Sequence, residues 1–269
     1  MSEVTASPYV LEELSGSVLW LTLNRPEQRN PLSAAMIAGI RAAIDRANQN
    51  TAVRAIVLTG SGPVFSAGHD LKEMGLGRGE SDEHRESRIR QILLDCSQMM
   101  LAIVHSPKAI IASVQGTATA AGCQLVSACD LALAAESARF CTPGVNIGLF
   151  CTTPLVGVGR NVHRKHAMEM ALTGDMFSSE DAVRFGLINR AVPDGELRAA
   201  TAELAQKIAA KSAQGIRSGK EAFYRQVEMP IEEAFRFAND AMLCGMTSAD
   251  AQEGTSAFFE RREPNWKKA

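Results

Sequence analysis

An α/β fold with parallel sheets, followed by an all-helical C-terminal region, is what this sequence predicts, and three observations predict it. Short apolar runs rich in β-favouring residues recur up to residue 141 and alternate with segments of helical spacing. Two of these runs lead into turns of very small residues, Phe65-Ser66-Ala67-Gly68-His69-Asp70 and Gly116-Thr117-Ala118-Thr119-Ala120-Ala121-Gly122-Cys123-Gln124. After Val192-Pro193 the patterned segments all have helical spacing.

The elements follow in order. Residues 9–13 and 17–23, with Gly16 between them, read as an antiparallel pair that Asn24-Arg25-Pro26 ends. Ser33 is the N-cap of a helix in which Met36, Ile37, Ile40 and Ile44 form one stripe, reaching about residue 48. A buried strand at 55–58 is closed by Thr59-Gly60-Ser61-Gly62-Pro63. The charged segment 80–90 leads into a long helix carrying Ile89, Ile92, Leu93, Met100 and Ile103, which Ser106-Pro107 stops. A second buried strand covers 109–114, a short helix runs to about residue 128, and strand-like runs occupy 131–134 and 139–141. Strand, turn, helix and strand in succession imply right-handed crossovers. Helices are expected at 200–213, 219–225, 231–243 and 249–260. The chain thus divides into a core, 1–195, and a helical region, 196–269, whose Phe235, Phe237, Met242 and Met246 offer an oligomerisation face.

Composition narrows the function. With 269 residues, 46% hydrophobic, the chain buries a large core, and a net charge of −2 provides no basic field for nucleic acid. No apolar run reaches the roughly 18–20 residues that span a bilayer, and Met1-Ser2-Glu3-Val4-Thr5 lacks a signal-peptide pattern. A soluble, cytoplasmic protein is expected. The six cysteines form no CxxC pair, so they read as buried thiols rather than a zinc site or disulfide frame. Neither metal-ligand spacing nor a glycine-rich phosphate loop is visible.

Both small-residue turns are expected between a strand and a helix, where backbone N–H groups lack partners and partial positive charge accumulates. Ala67, Gly68, Ala120, Ala121 and Gly122 leave room for an acyl group against the backbone, so two N–H groups can share one oxygen. Removing one such donor costs roughly 10²- to 10³-fold in rate. Small residues also serve close packing, so one turn alone is a weak sign.

Together with their neighbours the turns resemble the crotonase, or enoyl-CoA hydratase/isomerase, superfamily. The residues that carry the resemblance are Leu23-Asn24-Arg25-Pro26, Asn30-Pro31-Leu32, Phe65 through Met74, Gln115 through Gln124, Cys129-Asp130-Leu131, Pro143-Gly144 with Gly148, Leu172-Thr173-Gly174, and Ala257 through Pro264. They run in the family's order from about Val18 to Trp266. The resemblance implies a spiral of ββα turns with a C-terminal helical region, assembled as a homo-trimer or hexamer. It implies an acyl-CoA thioester as ligand, coenzyme A being part of the substrate, with no tightly bound cofactor. Its carbonyl oxygen would lie between the N–H groups of His69 and Ala121. Ser66, Ala67, Gly68, Asp70, Leu71, Ala120 and Gly122 would line the ligand, with Lys72 and Arg25 toward the coenzyme A phosphates.

Hydratases of this family carry glutamates at the positions that are Gln124 and Gly144 here. An amide exchanges no proton near neutral pH and glycine has no side chain, so acid–base catalysis worth roughly 10²- to 10⁴-fold per group is missing from these positions. Through Thr119 to Gln124 and Thr142 to Asn146 the chain resembles the subfamily of enoyl-CoA hydratase domain-containing protein 3, with Gln124, Asn146 and Cys151 as polar groups of a remodelled pocket. Three readings follow. Proton transfer comes from Asp70, Glu73, His69 or a borrowed anion such as bicarbonate, held by Thr142, Gln124 and the Gly144 N–H. Alternatively the pocket works with new polar groups, Cys151 reading as an inert thiol rather than a nucleophile, or the protein binds acyl-CoA without turning it over. Asp130 is expected to hold a loop by hydrogen bonds.

Overall fold

The computed structural model describes residues 8–75 and 82–266. Met1 to Thr5 and the start of the charged segment, Glu80 and Ser81, lie outside the described residues. An antiparallel hairpin, β1 (Val10–Ser15) and β2 (Val18–Leu23), is followed by α1 (Ala34–Gln49). Then the chain winds in repeated turns of two strands and helix: β3 (Ala55–Gly60), β4 (Val64–Ser66) and α2 (Asp82–Val104); β5 (Ala109–Val114), β6 (Thr117–Thr119) and α3 (Ala121–Ala128); β7 (Leu131–Ala135) and β8 (Arg139–Cys141) with α4 (Pro154–Asn161) and α5 (Arg164–Thr173). After β9 (Phe177–Ser178), α6 (Ser179–Phe185) and β10 (Arg190–Val192), the chain continues as α7 (Leu197–Ala209), α8 (Ala213–Gln226), α9 (Ile231–Met246) and α10 (Ala249–Glu260).

Each turn gives one strand to each of two sheets. The larger has the order β1-β2-β3-β5-β7-β10, parallel except for β1, and the smaller has the order β4-β6-β8-β9, parallel except for β9. Central strands read as unbroken apolar runs because both faces are covered: Ile56, Val57 and Leu58 of β3 and Ile110 and Ile111 of β5 are fully buried. Burying side chains of this size stabilises by about 1.5–3 kcal/mol each. Ser33 caps α1 as expected, its Oγ accepting from the Met36 N–H at 3.2 Å.

Helix α7 lays Leu197, Thr201, Ala205 and Ala209 on the larger sheet, and the Thr201 hydroxyl meets that of Ser113 at 3.1 Å. Asp130 ties α8 to the core. Its carboxylate accepts from the Ile110 N–H at 2.8 Å, the Lys220 ammonium at 2.8 Å and the Tyr224 hydroxyl at 3.0 Å. Asp130 thus acts through hydrogen bonds as expected, but it joins a helix to a strand rather than holding a loop.

Several boundaries differ from expectation. The helix expected over 200–213 ends at Ala209, because Ser212 caps a new helix through the Gly215 N–H at 2.8 Å. That new helix, α8, also starts six residues before the expected Gly219. No α-helix opens directly from the first small-residue turn. Residues 71–75 form turns instead, because the Asp70 carboxylate accepts from the Lys72 and Glu73 N–H groups at 3.0 and 3.2 Å. Phe235, Met242 and Met246 are exposed, whereas Phe237 is half-buried under the Arg225 guanidinium, 4.5 Å from its ring centre.

Candidate active site

Three loops meet at the carboxyl ends of the parallel strands β4, β6 and β8, the end of a parallel sheet where ligands commonly bind. They carry residues 67–70, 120–124 and 142–151, so one sheet edge gathers segments that are remote in sequence.

The first two loops touch. Thr119 Oγ1 donates to the Ala67 carbonyl at 2.9 Å, and a methyl group built on Gly68 would stand 3.0 Å from the Thr119 oxygen and 3.3 Å from the Ala121 nitrogen. Gly68 has φ +84°, a conformation that favours glycine, and Leu32 fixes it by donating its N–H to the Gly68 carbonyl at 2.8 Å. The N–H groups of His69 and Ala121 meet no acceptor among the described residues.

The Ala121 N–H is aimed by strain. Ala120 has φ 48° and ψ −115°, a conformation costing about 1–3 kcal/mol for a residue with a side chain. Its ψ sets the plane of the peptide that bears the Ala121 N–H. Hydrogen bonds hold the peptides on both sides of Ala120: its N–H donates to the Cys141 carbonyl at 2.9 Å, and its carbonyl accepts from the Gln124 N–H at 3.1 Å. Ala121 is the first residue of α3, so its N–H also carries the positive end of that helix. His69, with no helix directly following, gains no such field, which corrects the expectation for the first turn.

Around this pair of donors the other expected residues separate by role. Ser66 is buried and shapes the turn, donating to the Asn30 carbonyl at 2.9 Å and accepting from the Gly68 N–H at 3.3 Å. Gly122 lies against Ser66, where a methyl would stand 2.5 Å from the Ser66 carbonyl oxygen. Leu71 and Lys72 are exposed. Arg25 stacks on Tyr9, 3.7 Å from the ring centre. Glu73 accepts from the Ala34 N–H at 2.8 Å and so caps α1, while Asp70 caps its own turn, so each carboxylate already holds backbone N–H groups. Asn146 is exposed and donates to the Gly174 carbonyl at 3.4 Å, so it pins a loop rather than lining the pocket.

Gln124 and Thr142 are buried, and Gln124 Oε1 and Thr142 Oγ1 have no hydrogen-bond partner. Leaving such an atom unpartnered costs about 1–3 kcal/mol. Cys151 takes the space beside Gly144: a methyl built there would lie 3.0 Å from its Sγ, and the Gly144 N–H donates to that sulfur at 3.3 Å. The Gly144 N–H is therefore engaged rather than open to an anion. Burial pushes the Cys123, Cys141 and Cys151 thiols up, Cys141 to about 12, so they are neutral near pH 7 and the inert reading of Cys151 fits better than a nucleophile. Burial lowers the His69 imidazole below its usual 6.5, and its Nε2 has no partner. Among the described residues no three His, Cys, Asp or Glu side chains are grouped to hold a metal.

Sequence reasoning missed the Cys141 carbonyl and Leu32 as supports of the donors. Backbone groups leave no residue-type signal.

The spiral of paired strands, with two small-residue turns meeting at one edge of its second sheet, is the architecture of the crotonase class. A family model described as Enoyl-CoA hydratase/isomerase matches residues 13–269, and the chain belongs to that family. Within it the chain sides with the subfamily of enoyl-CoA hydratase domain-containing protein 3. It is 42% identical to the mitochondrial member from Mus musculus over 246 residues, covering 91% of this chain and 80% of the relative. The human member's crystal structure superposes with a TM-score of 0.91 at 38% identity, covering 96% of this chain and 100% of that one. An enoyl-CoA hydratase structure from Mycobacterium smegmatis gives a TM-score of 0.90 at 44% identity, covering 97% and 99%. No helix among the described residues is long and apolar enough to cross a membrane.

Proposed function

We propose that this protein binds an acyl-CoA thioester with its carbonyl oxygen between the His69 and Ala121 N–H groups, and acts on it by a route other than two-glutamate hydration. The observation that carries the reading is the pair of partnerless donors brought together from two loops, one aimed by a strained alanine. Coenzyme A enters as part of the substrate, and no tightly bound cofactor is part of the proposal. Assembly as a homo-trimer or hexamer, a cytoplasmic location and a place in fatty-acyl metabolism belong to the same proposal; the Mus musculus relative is named as mitochondrial.

Calorimetric titration tests it. Butyryl-CoA should bind at least about tenfold more tightly, about 1.4 kcal/mol, than the thioether analogue that lacks the carbonyl. Equal affinity would remove the thioester reading. Turnover of crotonyl-CoA above a background set by denatured protein would reject a purely binding role.

A second reading is favoured by the partnerless Gln124 Oε1 and Thr142 Oγ1. They offer hydrogen bonds to a small guest with both donors and acceptors, such as bicarbonate. Activity that rises with added bicarbonate supports it, and indifference to bicarbonate sinks it.

A further inference from the structure

We infer that the imidazole of His69 takes a proton from the α-carbon of the bound thioester, a step that rests on the binding mode proposed above. Three facts converge on it. The first is elimination. In the three segments at the site, residues 65–74, 120–124 and 141–151, the ionisable side chains are His69, Asp70, Lys72, Glu73, Cys123, Cys141 and Cys151. Asp70 and Glu73 already accept hydrogen bonds from backbone N–H groups, whereas the His69 Nε2 has no partner. Lys72 is exposed, while the three thiols are held neutral by burial. Gln124 and Gly144 carry no titratable group.

The second fact is placement. His69 contributes its N–H to the site, and its imidazole springs from the same Cα. The backbone that carries it is held by the Leu32 to Gly68 hydrogen bond and by the Ala67 N–H to Arg29 carbonyl bond at 2.9 Å. The third is the ring's environment. Its Nε2 is enclosed and has no partner, and burial lowers the ring's pKa below the usual 6.5, which favours the neutral imidazole near pH 7. The charged side chains on the segments that hold it are Arg29, Asp70, Lys72 and Glu73.

The step balances without a further reactant. The neutral imidazole takes the α-proton at Nε2. The electrons of the broken C–H bond pass to the carbonyl oxygen, which becomes an enolate oxygen held by the His69 and Ala121 N–H groups. Return of a proton from the imidazolium restores the thioester, so in heavy water the enzyme exchanges the α-hydrogens for deuterium.

Loss of the α-methylene signal of butyryl-CoA in deuterium oxide, followed by proton NMR beside calorimetric titration, provides the test for wild type, His69→Ala and His69→Gln. Both variants keep the backbone N–H, so affinity should stay within about threefold, less than 1.4 kcal/mol. Exchange should fall at least about 10²-fold, the lower end for a lost general base. In the wild type the exchange rate should be level near neutral pH and fall on the acid side of 6.5, where the ring protonates; that pH profile should vanish in both variants. Exchange that persists in a folded, ligand-binding His69→Ala protein overturns the inference, as does a wild type that binds butyryl-CoA and exchanges nothing. A wild type that binds no thioester defeats the binding proposal itself, and this inference with it.

Discussion

Gly68→Ala adds one methyl group where the two donor loops touch. At φ +84° an L-residue loses about 1–2 kcal/mol relative to its preferred backbone. The methyl would also stand 3.0 Å from the Thr119 oxygen, 3.1 Å from the Ala120 Cβ and 3.3 Å from the Ala121 nitrogen. These are backbone or Cβ atoms, which no rotamer change removes, so overpacking adds about 1–3 kcal/mol. Relief requires the loops to part by a few tenths of an ångström, which draws the Ala121 N–H away from an oxygen shared with His69. Gly16→Ala is the control, since its φ is +61° and a methyl there meets nothing within 4 Å. Urea unfolding should show about 1–2 kcal/mol lost in Gly16→Ala and about 2–5 in Gly68→Ala. Titration with butyryl-CoA should show no change in Gly16→Ala and at least about tenfold weaker binding in Gly68→Ala. A Gly68→Ala protein that binds like wild type would refute the claim that the contact between these loops sets the site.

Restoring both carboxylates, Gln124→Glu with Gly144→Glu, should lower stability and yield no hydration of crotonyl-CoA, because a Cβ at 144 meets Cys151 Sγ at 3.0 Å and its nitrogen at 3.1 Å; hydratase activity in a spectrophotometric assay would count against this. Lys220→Met leaves the Asp130 carboxylate without its cation in a site where the two side chains are only 8% and 16% exposed, so thermal unfolding should show about 3–5 kcal/mol lost. The exposed pair Arg160 and Glu228 should contribute at most about 1 kcal/mol in an Arg160→Met protein, and equal losses would contradict the ranking. Hydrogen bonds from Arg262 and the Asn265 N–H lower the Glu253 carboxyl to about 2 from 4.5. A group depressed in the folded state contributes above its unfolded value and loses that contribution as pH falls through the folded one, so the stability gap between wild type and Glu253→Gln should shrink from pH 4.5 toward 2. Denaturant titrations across that range check it, and a constant gap is the contrary result.

Long elements were legible from the chain because their signals are local. A buried strand such as Ile56 to Leu58 or a helix stripe such as Met36, Ile37, Ile40 and Ile44 repeats often enough to show its period. Strands β4, β6 and β8 have three residues each, too few to show a period, and of these only β8 was anticipated. The helix start at Ala213 was hidden because Gly215 and Gly219 lower helix propensity, which the Ser212 cap and the packing of α8 override.

Residue types alone determined the class of this protein: the small-residue turns, the family motifs, and the absence of carboxylates at 124 and 144 are all readable in one dimension. What only the tertiary structure decided is which polar groups are already spent. Asp70 and Glu73 were equals of His69 in the sequence, and folding commits both to caps while leaving the His69 Nε2 without a partner. The physical reason is that hydrogen-bond capacity is used up by neighbours in space, and those neighbours, Ala34 for Glu73 and Cys151 for Gly144, are set by packing rather than by spacing along the chain.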